Sequence, residues 1–248
     1  MKVIFCGRKN WAAQALKYII KLGWEVQGVK TAPEALWMPE PHLTTTADKL
    51  NLPILPPHLP LPKDTDLVIS YLYSYLIKEP LLSHTKLGAI NFHPGLLPEF
   101  AGLRGYNYAI LEGYKRYGCT AHFMDDKFDH GDIIKSYSLL IDDNETAFSL
   151  EHKTQQKMFA LFKDICKMIN RGEPLPRFAQ TRPPQTVSRA EFEKAKESPM
   201  GYPVERWVRA WWYPPYRGAT IAVDGEKLTL VSDSILKSIA PRLHDKSL

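Results

Sequence analysis

The 248-residue sequence has no apolar run near the roughly 20 residues that a membrane-spanning helix requires. Its first residues, Met1–Gly7, reach polar side chains too early for the apolar core of a secretory signal peptide. Cysteine is scarce too: Cys6, Cys119 and Cys166 have no metal-ligand spacing, and any disulfide would leave one of them unpaired. We therefore expect a cytoplasmic protein with reduced, buried cysteines and no membrane contact.

Glycine motifs for phosphate binding are also missing. The turn Gly7–Asn10 has neither G-x-G-x-x-G nor G-K-[ST], so it supports neither a dinucleotide site nor a Walker-type site. Charge of one sign is not abundant, since 32 Lys and Arg face 27 Asp and Glu. Residues 171–248 carry 13 basic and 9 acidic residues, a net +4 of the total +5. We expect no nucleic-acid partner from so mild an excess, which is compatible with a phosphate-bearing ligand.

Short apolar runs alternate with amphipathic segments through most of the chain. Runs such as Val3–Cys6 and Asp66–Ser70 are typical of strands buried on both faces of a parallel sheet. The alternation predicts an α/β fold with a doubly wound, mostly parallel, Rossmann-like sheet. Further strands are predicted at Trp24–Val29, Ile54–Leu55, Leu87–Phe92, Thr120–Met124 and Ile133–Leu140, and helices at Trp11–Leu22, Thr46–Leu50 and Thr146–Arg171.

The composition changes after Pro174, where proline and tryptophan become frequent. Apolar runs on both sides of Asp224-Gly225 predict a β-hairpin, because Asp-Gly favours a tight turn. We expect residues 1–172 to form the main domain. Residues 173–248, called the tail below, are expected to form a small C-terminal subdomain, a reduced barrel-like or hairpin unit.

Asn91 and His93 stand at the carboxyl end of a predicted buried strand, the edge at which open α/β sheets bind ligands. In an extended chain their side chains share one face, whereas Phe92 turns into the core. A carboxamide can stabilise a developing oxyanion by about 3–4 kcal/mol, and an imidazole can accept a proton from a nucleophile. The pair indicates acyl transfer, although a His before Pro94 is also typical of a structural turn.

A loop of carboxylates, Asp125–Asp132, follows the next predicted strand. One of these carboxylates is a candidate for orienting His93 or moving its proton. Clusters of Asp and Gly are equally typical of turns and helix caps. The spacing fits no EF-hand, and we predict no metal site.

Together these segments resemble the formyltransferase family. The resemblance is carried by Ala89-Ile-Asn-Phe-His-Pro-Gly-Leu-Leu-Pro98, Gly118-Cys-Thr-Ala-His-Phe-Met124 and Phe128-Asp-His-Gly-Asp-Ile133. The family has a catalytic Asn-x-His followed by an Asp 36 positions after the His, and counting 36 from His93 gives Asp129. The resemblance covers residues 1–170 and implies that residues 1–172 are the catalytic domain.

The resemblance implies 10-formyl-tetrahydrofolate as the co-substrate and no metal. Asn91 and protonated His93 would stabilise the oxyanion, while Asp129 would hold the imidazole and relay the proton. The pteridine is expected between the segment before the Asn91 strand and the loop that carries Asp129. The residues implied to bind it are Tyr73, Tyr75, Leu76, Ile77, Asp125 and Phe128. The two tyrosines are also typical of a packed strand-to-helix corner.

The acceptor amine distinguishes the members of the family. No Lys or Arg occurs between Thr31 and Asp48, where methionyl-tRNA formyltransferase carries a basic insertion, and the tail is short for that enzyme's second domain. The layout is most similar to nucleotide-sugar N-formyltransferases, which implies a nucleotide-linked amino sugar, a glycan precursor, as the acceptor. The residues implied to bind the acceptor are Arg8, Lys9, Asn10, Arg104, Tyr106 and Asn107.

Two alternatives stay open at this point. One is a compact methionyl-tRNA formyltransferase, and the other is a folate-binding regulatory protein without turnover. The intact set of Asn91, His93 and Asp129 argues against the second alternative. Exposed aromatic residues in the tail are compatible with a homodimer.

Overall fold

The structure, a computed structural model, describes residues 1–33, 39–56, 62, 64–77, 82 and 85–244. Its centre is a six-stranded sheet with the strand order β2-β1-β3-β4-β5-β6. The first four strands of the chain run parallel, whereas β5 is antiparallel to both β4 and β6. The strands are β1 (Lys2–Gly7), β2 (Glu25–Thr31), β3 (Leu67–Tyr71), β4 (Ala89–His93), β5 (Arg116–Phe123) and β6 (Ile133–Leu140).

The predicted doubly wound, mostly parallel sheet is confirmed, and so is the hairpin in the tail. The hairpin consists of β7 (Thr220–Val223) and β8 (Glu226–Thr229). The predicted strand Ile54–Leu55 is reduced to a single bridge between Ile54 and Val29. The helices are α1 (Lys9–Lys21), α2 (Leu43–Lys49), α3 (Tyr106–Leu111), α4 (Ala147–Asn170), α5 (Arg189–Lys194), α6 (Val204–Trp211) and α7 (Asp233–His244).

The continuous apolar run of β1 is explained by helices or loops covering both faces of the sheet. Val3 and Phe5 pack in the core formed with α1 and α4. Ile4 and Cys6 point to the opposite face, into a smaller cluster that includes Val68. Alternate side chains of a strand leave on opposite faces, so a strand buried on both sides needs apolar residues at every position.

The tail packs against the sheet domain through α6. Trp207 and Trp211, both buried, share a cluster with Tyr117 of β5 and Leu150 of α4. The indole N–H of Trp207 also donates to the carbonyl oxygen of Ala195 at 2.7 Å. The domain boundary at residue 172 stays a prediction. Among the described helices, none combines the length and the apolar character needed to cross a membrane.

Candidate active site

Four polar side chains meet where β4 and β5 lie side by side. Asn91 and His93 occupy alternate positions at the carboxyl end of β4, so they share one face. The antiparallel register places His122 opposite Asn91 and Thr120 opposite His93. Directly opposed residues of neighbouring strands also share a face. The sheet therefore brings these four side chains together beside the core.

The imidazole of His93 is buried, and each of its ring nitrogens faces an oxygen. Nδ1 lies 3.3 Å from Oδ1 of Asp129, and Nε2 lies 2.6 Å from the carbonyl oxygen of Phe100. Both oxygens can only accept, so both nitrogens donate only when the ring is protonated. Burial lowers the pKa of His93, but the Asp129 carboxylate and the Phe100 carbonyl outweigh burial and raise the pKa above its ordinary value.

Gly95 permits the close approach of the His93 ring to the Phe100 carbonyl. A Cβ atom at position 95 would lie 2.5 Å from the carbonyl oxygen of Phe100 and 2.7 Å from Nε2 of His93. The carbonyl belongs to the backbone and cannot move without shifting the chain. Any side chain at this position would therefore separate the ring from its acceptor.

Asp129 is buried and has a φ of 53°, in the left-handed region that few residues other than glycine adopt. Its Oδ2 accepts the backbone N–H of Gly102 at 2.8 Å, while Oδ1 faces His93. Burial raises the pKa of Asp129, but the charge of His93 and the hydrogen bonds to the carboxylate hold the pKa well below its usual range. The site therefore favours an ionised carboxylate beside a protonated imidazole.

The segment 124–132, called the Asp129 loop below, is also held by the tail. Nε2 of Gln180 donates to the carbonyl oxygens of Asp129 at 2.9 Å and of Gly131 at 3.0 Å. Two residues earlier, Phe178 forms an antiparallel bridge with Ile133, directly after the loop. A residue far along the chain thus helps to fix the backbone on which Asp129 stands.

The carboxamide of Asn91 is oriented by His122. Nδ1 of His122 lies 2.7 Å from the carbonyl oxygen of Phe123, so Nδ1 must carry the hydrogen. In neutral His122, Nε2 then accepts from Nδ2 of Asn91, which lies 3.0 Å away. Asn91 also lines the main cavity, so the second N–H of the amide remains for an oxygen bound there.

The main cavity, of about 510 Å³, opens onto Asn91, His93 and Asp129. Its walls are the segment 70–77 that follows β3, the end of β4 and the Asp129 loop. Burial raises the pKa of Tyr73 to about 12, so this residue contributes a neutral ring to the wall. All the residues predicted to contact the pteridine line this cavity: Tyr73, Tyr75, Leu76, Ile77, Asp125 and Phe128.

A second cavity, of about 280 Å³, shares His93, Pro94 and Leu103 with the main cavity. The two cavities therefore meet at the imidazole. Of the residues predicted to bind the acceptor, Arg8, Lys9, Tyr106 and Asn107 line the second cavity, whereas Asn10 and Arg104 do not. The amide of Asn107 donates to the carbonyl oxygen of Ala210 at 2.7 Å, so it also joins α3 to α6.

Arg104 has partners inside the protein. Its guanidinium lies 2.5 Å from a carboxylate oxygen of Glu112 and 5.5 Å from the ring centroid of Tyr108. Both partners flank or belong to α3, and the Arg104 side chain is mostly buried between them. Arg104 thus packs around α3, while its Nε has no hydrogen-bond partner among the described residues. The phosphate contact predicted for Arg104 stays a prediction.

A third cavity, of about 330 Å³, continues from the second and shares Arg8, Lys9 and Tyr106 with it. The rest of the wall of this cavity, called the basic cleft below, consists of Leu103, Asn107 and tail residues. The position of the tail residues near α1 depends on the packing of α6 on α3, which no sequence pattern shows. The sequence did not predict His122 and Gln180 as site residues for a similar reason. His122 lies in a predicted strand, but only the antiparallel direction of β5 places it opposite Asn91.

Comparisons with known proteins find formyltransferases. The family described as formyl transferase matches residues 61–164, a range that contains the main-cavity segments and the Asp129 loop. The GDP-perosamine N-formyltransferase of Brucella melitensis is 29% identical over 185 residues, covering 71% of this chain and 68% of that protein. A methionyl-tRNA formyltransferase of Bacillus cereus is 30% identical over 190 residues, covering 71% of this chain and 60% of that protein.

A solved structure shows the same fold through the tail. The N-formyltransferase from Helicobacter canadensis, in complex with folinic acid and dTDP-3-aminofucose, superposes with a TM-score of 0.71 at 21% identity. The match covers 92% of this chain and 86% of that one. Asn91, His93 and Asp129 all lie inside the matched range, and over that range the chain is similar to the formyltransferase family of enzymes.

Proposed function

We propose that this enzyme transfers a formyl group from 10-formyl-tetrahydrofolate to the amine of a nucleotide-linked amino sugar, a precursor of cell-surface glycans. The observation that carries the proposal is the meeting of two cavities at His93. One is walled by aromatic and apolar residues beside Asn91 and Asp129. The other leads away to basic side chains at the start of α1. The first cavity suits a formyl donor, and the second suits a phosphate-bearing acceptor.

The main cavity fits a flat, largely apolar heterocycle. Tyr73 and Tyr75 lie edge to face at its wall, with ring centroids 5.5 Å apart. Bound there, 10-formyl-tetrahydrofolate supplies a formyl carbon attached to N10. The polar groups of Asn91 and His93 stand at the end of the cavity where that carbon would meet an amine.

The arrangement of charges suits attack by a neutral amine. The amine nitrogen bonds to the formyl carbon, the bond from that carbon to N10 breaks, and the proton lost by the amine ends on N10. Asn91 donates a hydrogen bond to the formyl oxygen as negative charge builds on it. Protonated His93, whose two N–H groups face Asp129 and the Phe100 carbonyl, stabilises that charge through its own positive charge. Asp129 keeps the imidazole protonated and oriented, since its carboxylate faces Nδ1.

The acceptor is argued from the second cavity and from the relatives. A nucleotide sugar would place its phosphates near Arg8 and Lys9 and its amine at His93. The B. melitensis relative, named for GDP-perosamine, is covered over 68% of its length, against 60% for the methionyl-tRNA enzyme. The methionyl-tRNA enzyme is expected to carry a basic insertion where this chain has Thr31 to Asp48, and part of that stretch, residues 34–38, lies outside the described residues. A compact methionyl-tRNA formyltransferase is therefore kept as the competing function.

The test is a panel of UDP-, dTDP- and GDP-linked amino sugars, each incubated with the enzyme and 10-formyl-tetrahydrofolate. We expect a mass gain of one formyl group on at least one sugar, lost in His93→Asn. Methionyl-tRNA is the competing acceptor in the same assay. Formylation of the tRNA alone, falling steeply with salt, would replace the amino-sugar function. No turnover with any acceptor, despite folate binding, would favour the regulatory alternative.

We also propose a cytoplasmic location and leave the homodimer as a prediction. The three cysteines are buried and unpaired, as expected for a reducing compartment. Two tail tryptophans, Trp207 and Trp211, are buried, so the exposed aromatic surface of the tail comes from residues such as Phe178 and Tyr216. Light scattering of the purified enzyme tests the homodimer directly.

A further inference from the structure

The tail segment 178–187, called the strap below, passes the catalytic centre without forming a helix or a hairpin of its own. The polar groups of such a segment need hydrogen-bond partners on neighbouring elements. The partners of the strap lie on two loops. One is the Asp129 loop, and the other is the segment 98–102, called the Phe100 loop below.

The first half of the strap is fixed to the Asp129 loop. Directly after that loop, Ile133 and Phe178 exchange two backbone hydrogen bonds, at 2.8 and 2.9 Å. The amide of Gln180 then donates to the carbonyl oxygens of Asp129 and Gly131. Because Asp129 has a φ of 53°, its backbone conformation is unfavourable and depends on the contacts that surround it.

The second half of the strap is fixed to the Phe100 loop. The backbone N–H of Gln185 donates to the carbonyl oxygen of Pro98 at 3.0 Å. The methyl group of Thr186 lies over Gly102, where a Cβ atom would be only 3.4 Å from it. The strap therefore contacts both ends of the short segment that carries the Phe100 carbonyl.

The two loops carry the two partners of the His93 ring. The Asp129 carboxylate faces Nδ1, and the Phe100 carbonyl oxygen faces Nε2. The backbone N–H of Gly102 also donates to Asp129, so the loops are joined to each other beside the ring. One segment of the tail thus touches both loops that hold the imidazole.

The end of the strap lies at the main cavity, in which the formyl donor is expected. Thr186 and Val187 line this cavity together with Gly102 of the Phe100 loop and Asp129 of the other loop. The strap is therefore placed to hold the two loops at a fixed separation beside the donor.

We infer that the strap is a positioning element, which fixes Asp129 and the Phe100 carbonyl on either side of His93 and so keeps the imidazole aligned for formyl transfer. Catalytic groups need such supporting contacts to stay within a fraction of an ångström of the productive geometry. Gln180 and Gln185 act through other residues, so they are positioning residues. The inference rests on the proposed function only for the role of His93, and it holds for any acceptor amine.

The experiment removes one backbone donor of the strap. Gln185→Pro deletes the N–H that Pro98 accepts, whereas Gln185→Ala keeps this N–H and removes only an exposed side chain. We expect kcat at saturating substrates to fall roughly fivefold in Gln185→Pro, the scale of one lost hydrogen bond, and to change little in Gln185→Ala. Arg182→Ala is a second control within the strap, because Arg182 is exposed and such ion pairs contribute little.

An NMR titration of His93 distinguishes positioning from a general loss of stability. Asp129 is the charged group that faces the ring, and Nε2 of His122 lies 3.7 Å from the same carboxylate oxygen. The Phe100 carbonyl helps to raise the pKa of His93, so the pKa should fall when this carbonyl is held less firmly in Gln185→Pro. It should stay at the wild-type value in Gln185→Ala.

Two results in a folded Gln185→Pro enzyme would overturn the inference. One is an unchanged kcat together with an unchanged pKa of His93, and the other is an equal loss in Gln185→Ala. If Gln185→Pro does not fold, hydrogen exchange of the wild-type enzyme decides. We expect the amides of Phe178 and Gln185 to be protected, and exchange at the rate of free peptide amides would contradict the inference.

The titration and the hydrogen exchange are measured without substrate, so they do not depend on the acceptor. Formylation of methionyl-tRNA alone would remove the amino-sugar function and leave the strap in its role. Formylation of an amino sugar, with no response of kcat and of the His93 titration to Gln185→Pro, would keep the proposed function and remove the role of the strap.

Discussion

The catalytic centre and the basic cleft are connected through the second cavity but are built in opposite ways. The catalytic centre comes from two adjacent strands and one loop, within residues 91–129. Its side chains are buried, or half-buried in the case of Asn91, and are hydrogen-bonded to each other or to backbone. The basic cleft joins position 8 to position 217, and much of its wall is exposed. The side chains of the catalytic centre are held in place by their partners, whereas those of the basic cleft are long and lie at a surface.

The difference follows from what each region must do. Bond making requires donors placed within a fraction of an ångström, which only locked side chains provide. Phosphate binding tolerates adjustment, because a guanidinium on a long side chain can follow its ligand and acts partly through the field around it. Substitutions in the catalytic centre should therefore reduce kcat, and those in the basic cleft should raise KM.

The largest effect is expected for His93→Asn. This change removes the imidazolium that balances Asp129 and stabilises the formyl oxygen, so turnover should fall by about 100-fold or more. Adding Asn91→Ala to His93→Asn should lower turnover by much less than Asn91→Ala does in the wild-type enzyme, because the two residues act as a unit. The measurement is kcat at saturating substrates, with the surface variant His152→Asn as the control. Near-normal turnover in His93→Asn would show that the chemistry lies elsewhere.

The second prediction concerns the charge on His93. Its pKa is raised because the Asp129 carboxylate outweighs burial, so in Asp129→Asn burial acts without that opposition and the pKa should fall below its ordinary value. Wild-type His93 thus stays protonated to higher pH, and the variant loses its proton at lower pH. An NMR titration of the His93 ring protons measures both values. Equal midpoints in the two proteins would mean that the pair is not coupled in solution.

The sequence predicts the catalytic centre better than the cleft for a physical reason. Asn91, His93 and Asp129 depend on local strand geometry and a fixed spacing, which a single chain segment carries. The direction of β5 does not follow from its apolar run, so the pairing of Asn91 with His122 could not be predicted. The six-residue helix α3 is too short to show a helical period, and the cleft depends on the packing of α6 against it.

The third prediction concerns a tail residue that contacts the catalytic centre. Gln180 belongs to the tail, yet its amide holds two carbonyl oxygens of the Asp129 loop. Gln180→Leu keeps the volume and removes the donors, so Asp129 should lose its fixed position, and kcat should fall roughly tenfold with little change in KM. The pKa of His93 should fall as well, which a purely structural role would not cause. Arg182→Ala is the control in the same segment. If kcat and the His93 titration were both unchanged, the tail would contribute to substrate binding and not to the catalytic centre.

The smallest effect is expected for Asp132→Asn, which sharpens the choice of carboxylate. Asp132 lies three residues after Asp129 but points to Arg177, whose Nη1 is 3.4 Å away, and both side chains are exposed. Exposed ion pairs contribute about 0–1 kcal/mol, and the backbone bond from Phe123 N–H to the carbonyl oxygen of Asp132 survives the substitution. Turnover should therefore stay within about twofold of wild type, and thermal unfolding should shift by a few degrees at most. Asp129→Asn in parallel gives the contrast. Loss of turnover in Asp132→Asn with Asp129→Asn still active would mean that the proton passes through the outer carboxylate.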